Sequence, residues 1–83
     1  MISETDAVEL TNEYLPRGVD SVTSALIYSS LNAMLRGIEF SQLEKYLTSS
    51  FSKRRKHEFL ECVDKTLNFF RTHADELKID LAK

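Results

Sequence analysis

Three kinds of side chain in this 83-residue chain carry reactive chemistry of their own, and their spacing decides whether they can use it. The two histidines, His57 and His73, lie sixteen positions apart in a stretch that reads as one helix, too far to close on one metal ion from that helix alone. Cys62, the single cysteine, has His57 five residues away and on a different helical face, so no nucleophile–base pair is expected. The acidic residues are scattered over surface positions. There is no Gly-rich phosphate loop, no His-Glu-x-x-His pair and no serine elbow. No catalytic residue, cofactor site or metal site is expected, and the cysteine and histidines read as packing, surface or helix-end residues.

One cluster departs from that pattern: Lys53-Arg54-Arg55-Lys56-His57, at the expected start of the last helix. Positive charge there opposes the helix dipole, at about 0.3–1 kcal/mol per well-placed group at low salt. Three readings remain open for Lys53, Arg54, Arg55 and Lys56: a solvated turn, a contact for an acidic protein surface, or a contact for nucleic-acid phosphate. The charge is unevenly divided. Met1 to Phe51 carries seven acidic and three basic residues (net −4), and Ser52 to Lys83 six acidic and eight basic (net +2). A pI near 5.6 argues against a dedicated DNA binder, which is usually basic as a domain, and a polar protein partner fits better.

These residues must be positioned by helices. Two glycines and one proline are too little turn punctuation for a β-rich domain, while 42% hydrophobic residues suffice for a core. The expected fold is all-α, one small domain over residues 1–83 with three to four helices. Ser3 with Asp6 resembles a capping box that opens a first helix, with Ala7, Leu10 and Tyr14 on one face, ending near Tyr14 ahead of Pro16. Asp20 caps a second helix running to about Arg36, stopped by Gly37. That helix is uncharged from Ser21 to Leu35, with one stripe of Ile27, Leu31, Met34 and Leu35 and another of Val22, Leu26 and Ala33, so it should sit centrally. Ser41 with Glu44 reads as a further capping box for a short third helix, with a bend expected at Ser49-Ser50-Phe51-Ser52.

The fourth helix, expected from about Lys53, has the strongest periodicity. Leu60, Val63, Leu67, Phe70, Ala74, Leu77 and Leu81 alternate spacings of three and four, the a/d seam of a coiled-coil-like helix. Phe59, Cys62, Thr66 and Phe69 widen it beyond what two short helices could easily cover. The expectation is a homodimer with Leu60, Val63, Leu67, Phe70, Ala74 and Leu77 at the interface, and Glu61–Lys65 and Arg71–Asp75 as outer i,i+4 pairs worth about 0.2–0.5 kcal/mol each.

The uncharged stretch Ser21–Leu35 is short of the ~20 apolar residues that span a bilayer, so no membrane segment is expected. The acidic N-terminus does not resemble a signal peptide, and one cysteine suits a reducing compartment. Both point to a cytoplasmic protein.

The order of features resembles the small enterobacterial YmgB/AriR regulators of biofilm formation and acid resistance. The resemblance spans most of the chain: the leading helix with its aromatic ending (Leu10 through Tyr14-Leu15), the segment from Leu26 to Gly37, and Lys65-Thr66-Leu67 leading to Thr72-His73-Ala74-Asp75-Glu76. Ile27 stands where the family's glycine is expected, and the run Lys53–Lys56 is denser than the family's. The resemblance implies an all-α homodimer acting as a connector on a response regulator, another two-component phosphorelay protein or a transcriptional regulator. Two other readings of the residues stand beside it: a small dimeric DNA-binding regulator, and a phage- or plasmid-type inhibitor of a host protein.

Overall fold

The first two helices begin where a side-chain oxygen can close the opening turn, satisfying a backbone N–H that the helix leaves unpaired. The Ser3 Oγ accepts from the Asp6 N–H at 3.2 Å, and Asp20 accepts from the Thr23 N–H at 3.3 Å. The computed structural model describes residues 3–15, 17–51 and 56–81, without the side chains of residues 51, 56 and 57. Among them the helices are α1 (Glu4–Tyr14), α2 (Ser21–Leu35), α3 (Phe40–Phe51), α4 (Lys56–Thr72) and α5 (Ala74–Leu77), and there is no strand.

The ends of α1 and α2 fall where local chemistry puts them. Leu15, which precedes a proline, is extended at φ −63°, ψ 121°, and closes α1 by donating to the Thr11 carbonyl. Gly37 takes φ +111°, and the Ile38 N–H reaches back to the Ala33 carbonyl at 3.0 Å, a Schellman-type stop. Elsewhere the boundaries move from expectation. α3 begins at Phe40, so Ser41 lies inside its first turn instead of ahead of it, and α3 continues through Ser49 and Ser50 to Phe51.

α2 packs most extensively on α4, as its lack of charge requires. α3 covers both, and α1 lies against α2 and α5. One cluster of buried side chains joins them, with Ile27, Leu43, Leu47, Val63, Phe70 and Leu77 at 1% exposure or less. Burying each such side chain favours folding by about 1.5–3 kcal/mol relative to leaving it in water. The buried hydroxyls close on their own helices: Thr11 donates to the Ala7 carbonyl, Ser30 to Leu26 and Thr66 to Cys62, each at 2.6–2.7 Å. Each hydroxyl is thereby satisfied without a partner from another element.

Two corrections follow for the C-terminal third. The fourth helix is not continuous. It breaks at His73 (φ −107°, ψ 18°) into α4 and a four-residue α5, giving, among the described residues, five helices instead of three to four and no long C-terminal coiled-coil helix. The seam, moreover, is covered within one chain. Val63, Leu67, Phe70, Ala74 and Leu77 are all buried in the single copy, while Leu60 and Leu81, at the two ends of the seam, stay at the surface at 36% and 39% exposure. The assumption that this chain is too small to cover the seam therefore fails. Packing from α1, α2 and α3 supplies the cover, and the radius of gyration of 12.0 Å is that of a compact chain of this length, about 12 Å.

Candidate functional site

Polar groups gather where the start of α2 meets α4. Asp20, with the extended backbone of a cap residue, accepts the Thr23 hydroxyl at 2.6 Å on Oδ1 and the Thr23 N–H on Oδ2. From across the interface, the Cys62 thiol donates to the same Oδ2 at 3.6 Å. The Thr23 hydroxyl is the main influence holding the Asp20 carboxyl below its ordinary value of 3.8; desolvation opposes it, and the Thr23 N–H and the thiol assist. Cys62 is buried and acts here as a hydrogen-bond donor that ties α4 to the α2 cap.

Beside this cap lies an open cleft of about 570 Å³, bounded by residues 17–20, by Thr23 and Ile27 of α2, and by the C-terminal half of α4. Lys65, Asn68, Phe69 and Thr72 reach it together because i, i+3, i+4 and i+7 share one helical face. Half-buried Val19 and the buried Ile27 and Phe69 are its apolar lining, and Asn68 and Thr72 bring an amide and a hydroxyl. Arg17 and Lys65 are exposed, and among the described residues neither has an ion-pair partner. The volume falls within the ~300–1,000 Å³ usual for small-molecule sites.

His73 closes the far end of the cleft. Its ring stacks on Tyr14 with centroids 4.8 Å apart and 25° between planes, and meets Phe69 at 4.9 Å and 51°. Its Nδ1 is buried and has no hydrogen-bond partner among the described residues, so ring packing from α1 and α4 holds the imidazole. The helix break at His73 coincides with this stack.

The residues singled out in the sequence are distributed differently. Lys53, Arg54 and Arg55 lie outside the described residues; Lys56 opens α4, and its side chain and that of His57 are also outside them. Of the seam, the two end residues, Leu60 and Leu81, are exposed. The outer pairs do not form: Glu61 makes no ion pair with Lys65, nor Arg71 with Asp75, and the Arg71 guanidinium instead lies over the Phe40 ring at 5.6 Å. No group of three or more His, Cys, Asp or Glu side chains among the described residues is placed to hold a metal ion.

The sequence reading missed Arg17 and the polar face of α4. A signal was available, because Lys65, Asn68 and Thr72 recur at helical spacing on the flank away from the seam, but it is masked by the aromatic pair Phe69-Phe70, which reads as seam on both sides. Compared with known proteins, the chain matches no family model, no curated protein and no solved structure.

Proposed function

We propose that this chain is a non-enzymatic regulatory or adaptor module that acts by binding another protein. The observation that carries this reading is how the polar interior is used. The buried hydroxyls of Thr11, Ser30 and Thr66 bond to their own helices, and the thiol of Cys62 bonds to a helix cap. An enzyme keeps poised polar groups facing a cleft, with partners that raise their reactivity. Here the buried hydroxyls and the thiol are engaged in holding helices, and His73, whose Nδ1 lacks a partner among the described residues, is packed between two aromatic rings, which favours a function carried by the surface.

The likeness in feature order to the YmgB/AriR regulators extends this reading to a cytoplasmic connector that touches a response regulator or another phosphorelay protein. Lys53, Arg54, Arg55 and Lys56 are the residues we assign to that contact, since four consecutive cations repel one another and suit an acidic partner surface. Among the described residues no helix is long and apolar enough to cross a membrane. Self-association remains part of the proposal, but through residues other than the buried seam. Leu60 and Val22, at 36% and 48% exposure, are apolar side chains still available to it.

The test is the double variant Arg54→Glu/Arg55→Glu, compared with the unaltered protein for capture of partners from the native host and for DNA gel-shift at two salt concentrations. Loss of a captured protein with the melting temperature retained is the expected result. A gel-shift that weakens steeply with salt and vanishes in the variant would replace the adaptor reading with the DNA-binding one, because counterion release gives phosphate contacts that salt slope.

A further inference from the structure

We infer that the cleft between the α1–α2 connection and α4 is a binding site for a small organic anion, a carboxylate on a compact apolar body. The argument rests on charge, shape and commitment. Two cations, Arg17 and Lys65, approach the cleft from different elements, one from the connection and the other from α4, and neither is neutralised by a described residue.

The one carboxylate in the lining, Asp20, makes no ion pair with either of them. Its oxygens accept from the Thr23 hydroxyl, the Thr23 N–H and the Cys62 thiol, which hold it at the α2 cap, and its single negative charge stands against two cations. Lys65 borders the cleft alongside Asp20 and still makes no ion pair with it. Positive charge is therefore left over in a concave site, where the low-dielectric walls concentrate its field.

The rest of the lining sets the ligand's body. Val19, half-buried, presents apolar surface over a floor of buried Ile27 and Phe69, while Asn68 and Thr72 offer neutral donors and acceptors at the side. Hydrogen bonds from a guanidinium to a carboxylate can be bidentate, which favours a planar acid over a spherical ion. An aromatic or branched aliphatic monocarboxylate fits that combination better than inorganic phosphate does, which has no surface to set against Phe69. Binding uses none of the residues of the basic run, so it stands whether or not the adaptor reading does.

The experiment is a titration followed by amide chemical shifts on the full chain, with benzoate, phenylacetate and isovalerate as probes. Inorganic phosphate and neutral benzamide serve as controls. Saturable shifts at millimolar carboxylate, centred on Gly18, Asn68 and Thr72, are expected. Arg17→Gln and Lys65→Gln should each weaken binding about tenfold, as expected for loss of one hydrogen bond to a charged group. Both residues are exposed and make no ion pair with a described residue, so circular dichroism and melting temperature should be unchanged. The inference is overturned if none of the three carboxylates gives a saturable shift, if benzamide or phosphate matches them, or if both variants bind as tightly as the original.

Discussion

α2 and the α4–α5 run are the two sides of the main packing interface, yet they are built on different principles. α2 is marked at both ends by its own residues: the Asp20 carboxylate closes its first turn, and Gly37 at φ +111° stops it. The α4–α5 run has neither device where it breaks and stops. His73 makes no side-chain cap for α5, and the stop falls on Lys78, held in the left-handed region at φ 57°, ψ 43°. The same Schellman-type bond forms at both stops, from Ile38 to Ala33 and from Ile79 to Ala74. α2 is thus bounded by local chemistry. The ends of the other run are imposed by what packs on them: Tyr14 and Phe69 against His73, and the core around Leu77.

The largest effect expected from this difference lies in the seam. Phe70 is wholly buried, and Phe70→Ala should cost about 3–5 kcal/mol. The whole chain is expected to be worth only about 4–12 kcal/mol, so the variant should melt far lower or be largely unfolded at room temperature. Thermal circular dichroism measures this, and light scattering at the same concentrations distinguishes unfolding from dissociation. A variant that stayed folded while a dimer fell to monomers would show that the seam works between copies, and would overturn the tertiary origin of the α4–α5 boundaries.

Next in size is Gly37→Ala. Beyond Gly37 and its two chain neighbours, no heavy atom lies within 4 Å of the position a Cβ would take, so the variant meets no tertiary steric contact and isolates the backbone. A φ of +111° is strained for any residue with a Cβ, and the loss should be about 1–2 kcal/mol, read as a lowered urea midpoint at constant slope. No change in midpoint would mean that the end of α2, like that of α5, is set by packing.

This contrast also explains what could be read from the sequence. Ser3, Asp20, Pro16 and Gly37 act on backbone groups within four residues of themselves, so α1 and α2 were legible almost to the residue. The seam was legible as apolar periodicity, but periodicity does not say whose side chains fill the other half. The ridge that reads as a dimer interface is covered by α1, α2 and α3 of the same chain. The break at His73 left no trace, because Ala74 and Leu77 keep the three–four spacing straight across it. The cleft was the least legible feature, since Arg17 and Lys65 are 48 positions apart and meet only through the fold.

A smaller effect should appear in the pH dependence of stability. Asp20 has its carboxyl lowered in the folded protein, chiefly by the Thr23 hydroxyl, so the ionised form is favoured by folding. Its contribution is fully present above the ordinary carboxylate value of 3.8 and is lost as pH falls below it through the folded-state value. Because the carboxylate is exposed, solvent and salt screen the effect, and it should fall below that of Gly37→Ala. Asp20→Asn keeps a competent cap while removing the titration. Melting curves between neutral pH and pH 3 should therefore show a shallower acid loss in the variant. Equal acid sensitivity in both proteins would remove the charged cap from the account of α2.

The smallest effect is also the most direct comparison of the two helix stops. Lys78→Gly places at the end of α5 the residue that already stops α2. A lysine in the left-handed region gives up about 1 kcal/mol or more relative to a residue free to adopt it. Glycine recovers that, but the unfolded chain gains backbone freedom worth roughly 0.5–1 kcal/mol against folding. The two terms nearly cancel, leaving an expected gain of a few tenths of a kcal/mol and up to ~0.5. A chain of this size turns that into a melting rise of about one to four degrees, within reach of repeated calorimetric scans. Lys78→Ala, which keeps the Cβ and removes only the charged arm, should show no such rise, since the exposed amine makes no ion pair with a described residue. If both variants raised the melting temperature equally, the lysine's charge and not its dihedral would be the burden. If Lys78→Gly lowered it, the conformation at Lys78 would be held so firmly by Leu77 and Ile79 that the stop needs no local preference at all.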